Sequence, residues 1–152
     1  IRSLEEKKAI ENFALGHIFV KEKQRYVLAD SFPSSNYTIW LGNRKGPGRI
    51  SSTTTDLLSW DRALYKGELV NDQTLLEAYT PMKLTNDSLS YYGFGWMLNK
   101  NNPHIVFHTG DNPGYKTKIV RFTDQDKTLI ILCNNAHAKF ASISDTLESM
   151  ID

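Results

Sequence analysis

The chain contains a single cysteine, Cys133, among its 152 residues. One thiol cannot form an internal disulfide, and a zinc cluster built from cysteines is excluded as well. Cys133 closes the longest uninterrupted apolar run, Leu129–Cys133, so we expect a buried and inert thiol. That run is far shorter than the about 20 residues that a membrane-spanning helix needs, and we expect no membrane span in this chain.

The sequence also lacks an excess of charge of either sign. Lys and Arg number 18 and Asp and Glu number 17, which gives a formal net charge of +1. This balance argues against a nucleic acid partner and against binding to an anionic membrane surface. Hydrophobic residues make up 40% and aromatic residues 11% of the chain, which excludes a disordered tail. A chain of this length fits one domain, or part of a larger one.

The first residue is Ile1 rather than a methionine. The terminus shows no charged segment followed by an apolar stretch and a small-residue cleavage site, which is the pattern of a secretory leader. We therefore expect that residues precede Ile1 in the intact protein, and this terminus does not reveal the localisation.

Hydrophobic periodicity predicts four helices. Thr53 and Asp56 form a capping-box pattern at the start of the clearest one, and Gly67 is well placed to end it. The other helices are predicted over 3–13, from Asn71 to before Pro81, and over about 137–151. The last helix is predicted to present one apolar stripe, formed by Phe140, Ile143, Leu147 and Ile151.

Between and after the helices, β-branched and aromatic runs predict strands. These runs are His17–Val20, Tyr26–Ala29, Tyr92–Leu98, Ile105–His108, Lys116–Phe122 and Thr128–Cys133. Residues 31–50 are loop-like, with Tyr37–Leu41 extended within them. Helices followed by an antiparallel meander and a final helix indicate an α+β fold.

The histidines are not expected to form a metal site. His104 and His108 have the spacing of a helical zinc pair, but the residues between them favour a strand, on which the two lie roughly 13 Å apart. A zinc ion lies about 2 Å from each nitrogen ligand, so this pair cannot chelate one. His17 and His137 have no partner pattern. We expect neither a metal nor a cofactor.

Motifs that supply a serine nucleophile are missing. The chain has neither a Gly-x-Ser-x-Gly elbow nor a Ser-x-x-Lys pair. Thr80-x-x-Lys83 is interrupted by Pro81, which argues against a shared helical face. Ser34-Ser35-Asn36 fits a Ser-x-Asn string, but so short a match is mostly chance, and Lys116-Thr117-Lys118 lacks a glycine that would let a ligand approach.

One tripeptide differs in kind from these matches. His108-Thr109-Gly110 closes a predicted strand, and Asp111–Tyr115 follows as a turn into the next strand. A polar strand edge can hydrogen-bond an extended substrate through its backbone, and glycine removes bulk where a ligand approaches. The N–H just beyond could serve an oxyanion. Taken alone, such a tripeptide is more often an ordinary turn.

Several segments together resemble the serine β-lactamase-related family, which contains class C β-lactamases, D,D-peptidases, D-aminopeptidases and esterases. Gly46–Trp60 resembles its G-G-I-x-S-T-x-x-D-L-x-x-W/F segment, and Tyr92–Trp96 resembles its Y-G-x-G-W strand. His108–Tyr115 is similar to the H-T-G-x-x-P-G-F motif, Val120–Asn134 to the closing strand pair and Phe13–Phe19 to A-x-G-Y. The motifs occur in the family's order over about residues 13–135.

The resemblance implies that residues 1–152 form a single fragment or domain, the C-terminal portion of a larger β-lactamase-like domain. In the family the nucleophile is the serine of a Ser-x-x-Lys motif, with the lysine as its general base, and it lies upstream of the segment seen here. His108 stands where many members have lysine, and it would hold substrate and polarise the reaction. Thr109 and Gly110 would bind substrate, and the backbone N–H of Asp111 would supply half of the oxyanion hole.

The implied reaction is acyl transfer on an amide or ester bond of a β-lactam, a D-amino-acid peptide or an ester. The chain alone should be inactive because it holds no nucleophile. The Asp111 side chain would repel penicillin-like carboxylates, so an esterase or peptidase fits at least as well as a β-lactamase. Two alternatives stay open: a non-catalytic peptidoglycan-binding or sensor module of the same fold, and a plain interaction domain.

The resemblance also implies partners. They are a small-molecule or peptide substrate and the missing N-terminal half, whose strands would pair beside the last strand. Without that half the edge at Thr128–Cys133 is bare, and a bare apolar edge invites self-association. Family members are commonly exported, so the resemblance implies a periplasmic or extracellular location.

Overall fold

The computed structural model describes residues 4–31, 48 and 50–151. In this part of the chain the helices are α1 (Leu4–Lys8), α2 (Thr54–Tyr65), α3 (Asp72–Ala78) and α4 (Phe140–Ser149). The strands are β1 (His17–Val20), β2 (Arg25–Leu28), β3 (Met82–Lys83), β4 (Leu89–Ser90), β5 (Met97–Leu98), β6 (Ile105–Asn112), β7 (Tyr115–Phe122) and β8 (Lys127–Cys133). Helices and antiparallel sheets in this order confirm the α+β class. The predicted extended segment Tyr37–Leu41 and the string Ser34–Asn36 lie outside the described residues.

Contacts within the chain divide it into two compact units. Of the described residues, the first unit contains those up to Ser51, 110–117 and 132–144, and the second contains 52–109, 118–131 and 145–151. The largest sheet has the strand order β5-β6-β7-β8, so neighbours in space are neighbours in sequence, as a meander requires. Two smaller sheets pair β1 with β2 and β3 with β4.

In the first unit, β1 and β2 form the predicted antiparallel hairpin, in which His17 pairs with Leu28. The His17 N–H donates to the Asn134 carbonyl at 2.9 Å. The helix predicted over 3–13 is shorter than expected and ends at Lys8. Its buried residue is Lys7, whose ammonium lies 2.6 Å from an Asp30 carboxylate oxygen. A charged pair, rather than an apolar face, therefore fixes this helix.

In the second unit, the two central helices, α2 and α3, begin at the predicted residues. Thr53 Oγ1 accepts the Asp56 N–H at 3.1 Å, and Asn71 Oδ1 accepts the Thr74 N–H at 2.8 Å. Each cap satisfies a donor that the first helical turn leaves free. The helices pack on the sheet through one cluster of buried side chains, formed by Leu64, Ala78, Trp96, Leu98 and Val106. A second cluster contains Ile105, Val120 and Phe122.

The aromatic segment Tyr92–Leu98, predicted as one strand, folds back on itself. Only Met97–Leu98 is strand, and Tyr92 forms an antiparallel bridge with Met97. The Gly93 N–H donates to the Trp96 carbonyl at 2.8 Å, and Gly95 has φ of +80°, where glycine is favoured. The two glycines therefore impose a turn on a segment whose aromatic residues favour a strand.

The predicted apolar stripe of the last helix is wrong at its two central positions, although Ile151 packs against the second buried cluster. Ile143 is 49% exposed and Leu147 38% exposed, whereas Ser144 is buried. Lys118 of β7 pairs with the acidic side of this helix. Its ammonium lies 2.9 Å from Asp145 Oδ1 and 2.6 Å from Glu148 Oε2. Ion pairing orients this part of α4.

Candidate active site

The segment His108–Asp111 lies in the interior of a long strand. β6 runs to Asn112, so the turn predicted to start at Asp111 starts later. β5 pairs with only the first part of β6, through Met97 with Phe107 and Leu98 with Val106. Among the described residues, no strand pairs with β6 on this side beyond Phe107. Residues 108–112 therefore present an open strand edge.

The hydrogen bonds of β6 show which backbone groups face that edge. On the β5 side, the Ile105 carbonyl accepts the Asn99 N–H at 3.1 Å, and on the other side the His104 carbonyl accepts the Thr123 N–H at 2.8 Å. In a regular antiparallel ladder, successive residues direct their backbone groups to opposite sides. Counting by twos from Ile105, the N–H and C=O groups of Thr109 and Asp111 point toward the open edge.

The side chains of the four predicted site residues divide between the two faces of the strand. Strand alternation places His108 and Gly110 on the face of Val106, with Thr109 and Asp111 on the opposite face. A Cβ on Gly110 would lie 2.3 Å from Thr117 Oγ1, so a larger residue there would force the Thr117 hydroxyl to turn away. Thr109 and Asp111 therefore contribute their backbone N–H and C=O groups to the candidate site.

The imidazole of His108 contacts a residue that the sequence did not single out. Its Nε2 lies 3.0 Å from Tyr92 Oη, and the two rings meet edge to face with their centroids 5.9 Å apart. Tyr92 lies 16 residues earlier and reaches His108 only because the segment 92–98 folds back. The sequence offered no signal for this contact beyond the Tyr-Gly-x-Gly-Trp string.

The carboxylate of Asp111 is paired with Lys116. The Lys116 Nζ donates to Asp111 Oδ2, and both side chains are partly exposed to solvent. Exposed ion pairs of this kind contribute about 0–1 kcal/mol to stability. The pair also changes the electrostatics of the site. The Asp111 carboxylate, which was expected to repel a substrate carboxylate, lies beside the positive charge of Lys116.

Glycines and a tyrosine hold the turn after β6. Gly114 has φ of +82°, and a Cβ there would lie 2.6 Å from the carbonyl carbon of Gly16. Tyr115 packs on Gly16 as well, and its hydroxyl donates to the Ala14 carbonyl at 3.0 Å. Burial raises the pKa of Tyr115, so the hydroxyl stays protonated as a donor. The Phe13–Phe19 segment and the turn, separate in sequence, are therefore in contact.

A buried polar cluster lies in the second unit. Asp61 is 0% exposed and Arg121 1% exposed, and Arg121 Nε lies 2.6 Å from Asp61 Oδ1. Asp61 Oδ2 accepts from Thr128 Oγ1 at 2.7 Å and from Arg62 Nη2 at 2.7 Å. Arg121 also donates to Tyr79 Oη. Burial raises the pKa of Tyr79, although the Arg121 guanidinium opposes this shift. No sequence motif indicated this cluster.

The remaining candidate residues lie apart from one another. His104 precedes β6, so it does not share the strand with His108. Over residues 4–31, 48 and 50–151, no group of three or more His, Cys, Asp or Glu side chains is arranged to hold a metal ion. Cys133 is only half-buried, with Sγ 3.3 Å from the Asn135 carbonyl oxygen. None of the described helices is both long and apolar enough to cross a membrane.

Comparison with known proteins decides the family. The family model described as Beta-lactamase matches residues 17–148, a range that contains β1, the capped helices and the whole of β6. This chain belongs to the beta-lactamase family. The match confirms the resemblance and the α+β fold expected from it.

A curated relative agrees with the beta-lactamase assignment. Penicillin-binding protein 4* of Bacillus subtilis (strain 168) is 38% identical over 128 residues, which are 82% of this chain and 28% of the relative. The chain thus spans less than a third of the length of the relative it matches. Its fold is of the type that serine hydrolases of the beta-lactamase family use.

Proposed function

We infer that this chain forms the substrate-binding wall of a serine hydrolase that acts by acyl transfer on amide or ester bonds. The substrate would be a β-lactam, a D-amino-acid peptide or an ester. The open edge of β6 at residues 108–112 carries the inference, because the first strand of the sheet stops at Leu98. An extended substrate can add to such an edge through main-chain hydrogen bonds.

Three residues of the edge have a role in this proposal. The substrate lies along β6, with the Thr109 backbone as its partner and His108 beside the acyl group. The Asp111 N–H donates to the oxygen that becomes negative when a serine attacks the carbonyl carbon. The tetrahedral intermediate then expels its leaving group, and water hydrolyses the acyl serine. The serine and its general base come from the part of the protein upstream.

Covalent labelling tests this assignment. A fluorophosphonate and a penicillin are incubated separately with this chain and with the protein extended upstream, and intact mass is measured. We expect a single adduct on the extended protein and none on this chain, because a Ser-x-x-Lys pair is absent from its sequence.

Two outcomes contradict the assignment, and they do so in different ways. Absence of an adduct on both proteins favours the non-catalytic binding module. Hydrolysis of a chromogenic ester by this chain alone, unchanged by His108→Ala, shows chemistry that does not use the β6 edge. The same labelling of the upstream-extended His108→Ala variant is the matched control, and it tests whether the adduct depends on His108.

The proposal includes the upstream half as the partner of β8. This strand ends the order β5-β6-β7-β8, and the described residues provide no strand on its far side. Next to it an open cleft of 260 Å³ is lined by Thr54, Thr55, Leu58, Thr128 and Ile130. The 28% coverage of the relative supports a longer protein that supplies the neighbouring strands.

Without that partner, we expect this chain to self-associate through β8. Leu132 is 39% exposed on this strand, and Leu132→Lys should shift the chain toward the monomer because a lysine blocks edge pairing. Leu76→Lys, at a residue 61% exposed on α3, is the matched control and should leave association unchanged. Light scattering after size exclusion measures the mass, and a monodisperse wild-type monomer would contradict the expectation.

A further inference from the structure

We propose that Tyr92 is a positioning residue that holds His108 in the tautomer protonated at Nδ1, so that the imidazole offers the substrate one neutral donor. The role toward a substrate rests on the proposed function, whereas the contact between Tyr92 and His108 is observed within the second unit. Tyr92 Oη lies 3.0 Å from His108 Nε2, and the edge-to-face rings restrict rotation of the imidazole. No other residue with a titratable side chain makes a hydrogen bond to His108 in the described part of the chain.

The chemistry of the two groups sets the direction of this hydrogen bond. A neutral imidazole has one N–H donor and one acceptor nitrogen, and the bond made at one nitrogen decides the state of the other. The lone pair of an imidazole nitrogen is a better acceptor than a phenol oxygen, and a phenol hydroxyl is a good donor. Tyr92 O–H therefore donates to Nε2, which leaves the proton on Nδ1.

The turn that carries Tyr92 is fixed by buried neighbours. Trp96 is buried, stacks on Trp60 with ring centroids 6.1 Å apart, and meets Tyr79 edge to face at 5.8 Å. Its carbonyl accepts the Gly93 N–H at 2.8 Å, which closes the turn. Tyr92 itself is bridged to Met97. Because the turn is anchored in the core, the backbone that carries Tyr92 is held in place, while Tyr92 is 46% exposed.

The tautomer bears on the class of substrate. With Nε2 occupied, Nδ1 is the nitrogen left for a ligand, and it has no hydrogen-bond partner among residues 4–31, 48 and 50–151. A lysine at this position would present a charged ammonium with three donors. A single neutral N–H suits the uncharged carbonyl oxygen of an ester or amide, and it does not require a carboxylate on the substrate.

Nitrogen-15 NMR of the histidine side chains tests the tautomer on this chain. Spectra are recorded at rising pH until the histidine signals no longer change, so that neutral rings are compared. His137 provides an internal reference of the opposite kind, because its Nδ1 accepts the Lys139 N–H at 3.1 Å. We expect His108 to be protonated at Nδ1 and His137 at Nε2. His108→Gln identifies the signal.

Tyr92→Phe removes the hydroxyl and keeps the ring, so it should shift the His108 population toward the Nε2-protonated form while the His137 signal stays in place. In the upstream-extended protein, loss of one hydrogen bond should slow labelling by about two- to tenfold. Protonation of wild-type His108 at Nε2, or an unchanged tautomer in Tyr92→Phe, overturns the inference. The spectrum needs no turnover, so absence of labelling would refute the hydrolase assignment and leave the tautomer result intact.

Discussion

Asp61→Ala is expected to lower the free energy of unfolding by about 3–5 kcal/mol, because removal of one partner leaves a buried charge uncompensated. The buried charge is that of Arg121, which is 1% exposed and has its Nε 2.6 Å from Asp61 Oδ1. The guanidinium lies among aromatic rings, with its carbon 4.2 Å from the centre of Tyr65. Water cannot replace the lost carboxylate there without opening the core.

Urea denaturation of the purified chain measures this effect. Asp126→Asn is the matched control, because Asp126 pairs with Arg62 in the same cluster while its side chain is 73% exposed, and asparagine tolerates its φ of +52°. An exposed pair of this kind contributes about 0–1 kcal/mol, so the control should unfold close to the wild type. Equal small losses in both variants would show that Asp61 is not the counter-ion of Arg121 in solution.

Gly93→Ala should destabilise the chain by about 3 kcal/mol or more, beyond the usual 1–3 kcal/mol of overpacking. A Cβ at this position would lie 1.8 Å from the Ala78 carbonyl oxygen and 2.8 Å from its carbon. Backbone atoms of α3 cannot rotate away as a flexible side chain can. Either the turn or the end of the helix must move, and the buried Trp96 moves with it.

Gly95→Ala is the matched control in the same turn. Its Cβ would meet nothing within 4 Å, so only the positive φ of +80° opposes the substitution, at a cost of about 1–2 kcal/mol. Denaturation midpoints of the two variants provide the comparison. A Gly93→Ala variant as stable as Gly95→Ala would show that the turn does not approach Ala78 as closely as described.

Local signals in the sequence predicted the parts of the fold that neighbours along the chain control. The capped start of α2 at Thr53, the start of α3 after Asn71 and the β1–β2 hairpin were predicted correctly. Each depends on residues a few positions apart. The family motifs likewise predicted the beta-lactamase fold, because together they sample several elements in order.

Two elements differed because distant residues decided them. Ile143 and Leu147, the central members of the predicted stripe of α4, are exposed, since Lys118 of β7 pairs with the acidic residues of this helix. The strand predicted over Tyr92–Leu98 is mostly a turn, because Trp96 is buried against side chains from both central helices. Hydrophobic periodicity along the sequence carries no information about such distant partners.

The candidate site shows the same division. The sequence by itself predicted that a strand leads into His108-Thr109-Gly110, but it predicted a turn from Asp111, which lies on β6 in the structure. Strand alternation then determines which backbone groups share a side. Only the tertiary structure decided that β5 ends early enough to leave Thr109 and Asp111 facing an open edge, and that Tyr92 reaches His108. The reason is physical: local patterns encode backbone conformation, whereas an open edge and a side-chain contact depend on segments that meet only after the chain has folded.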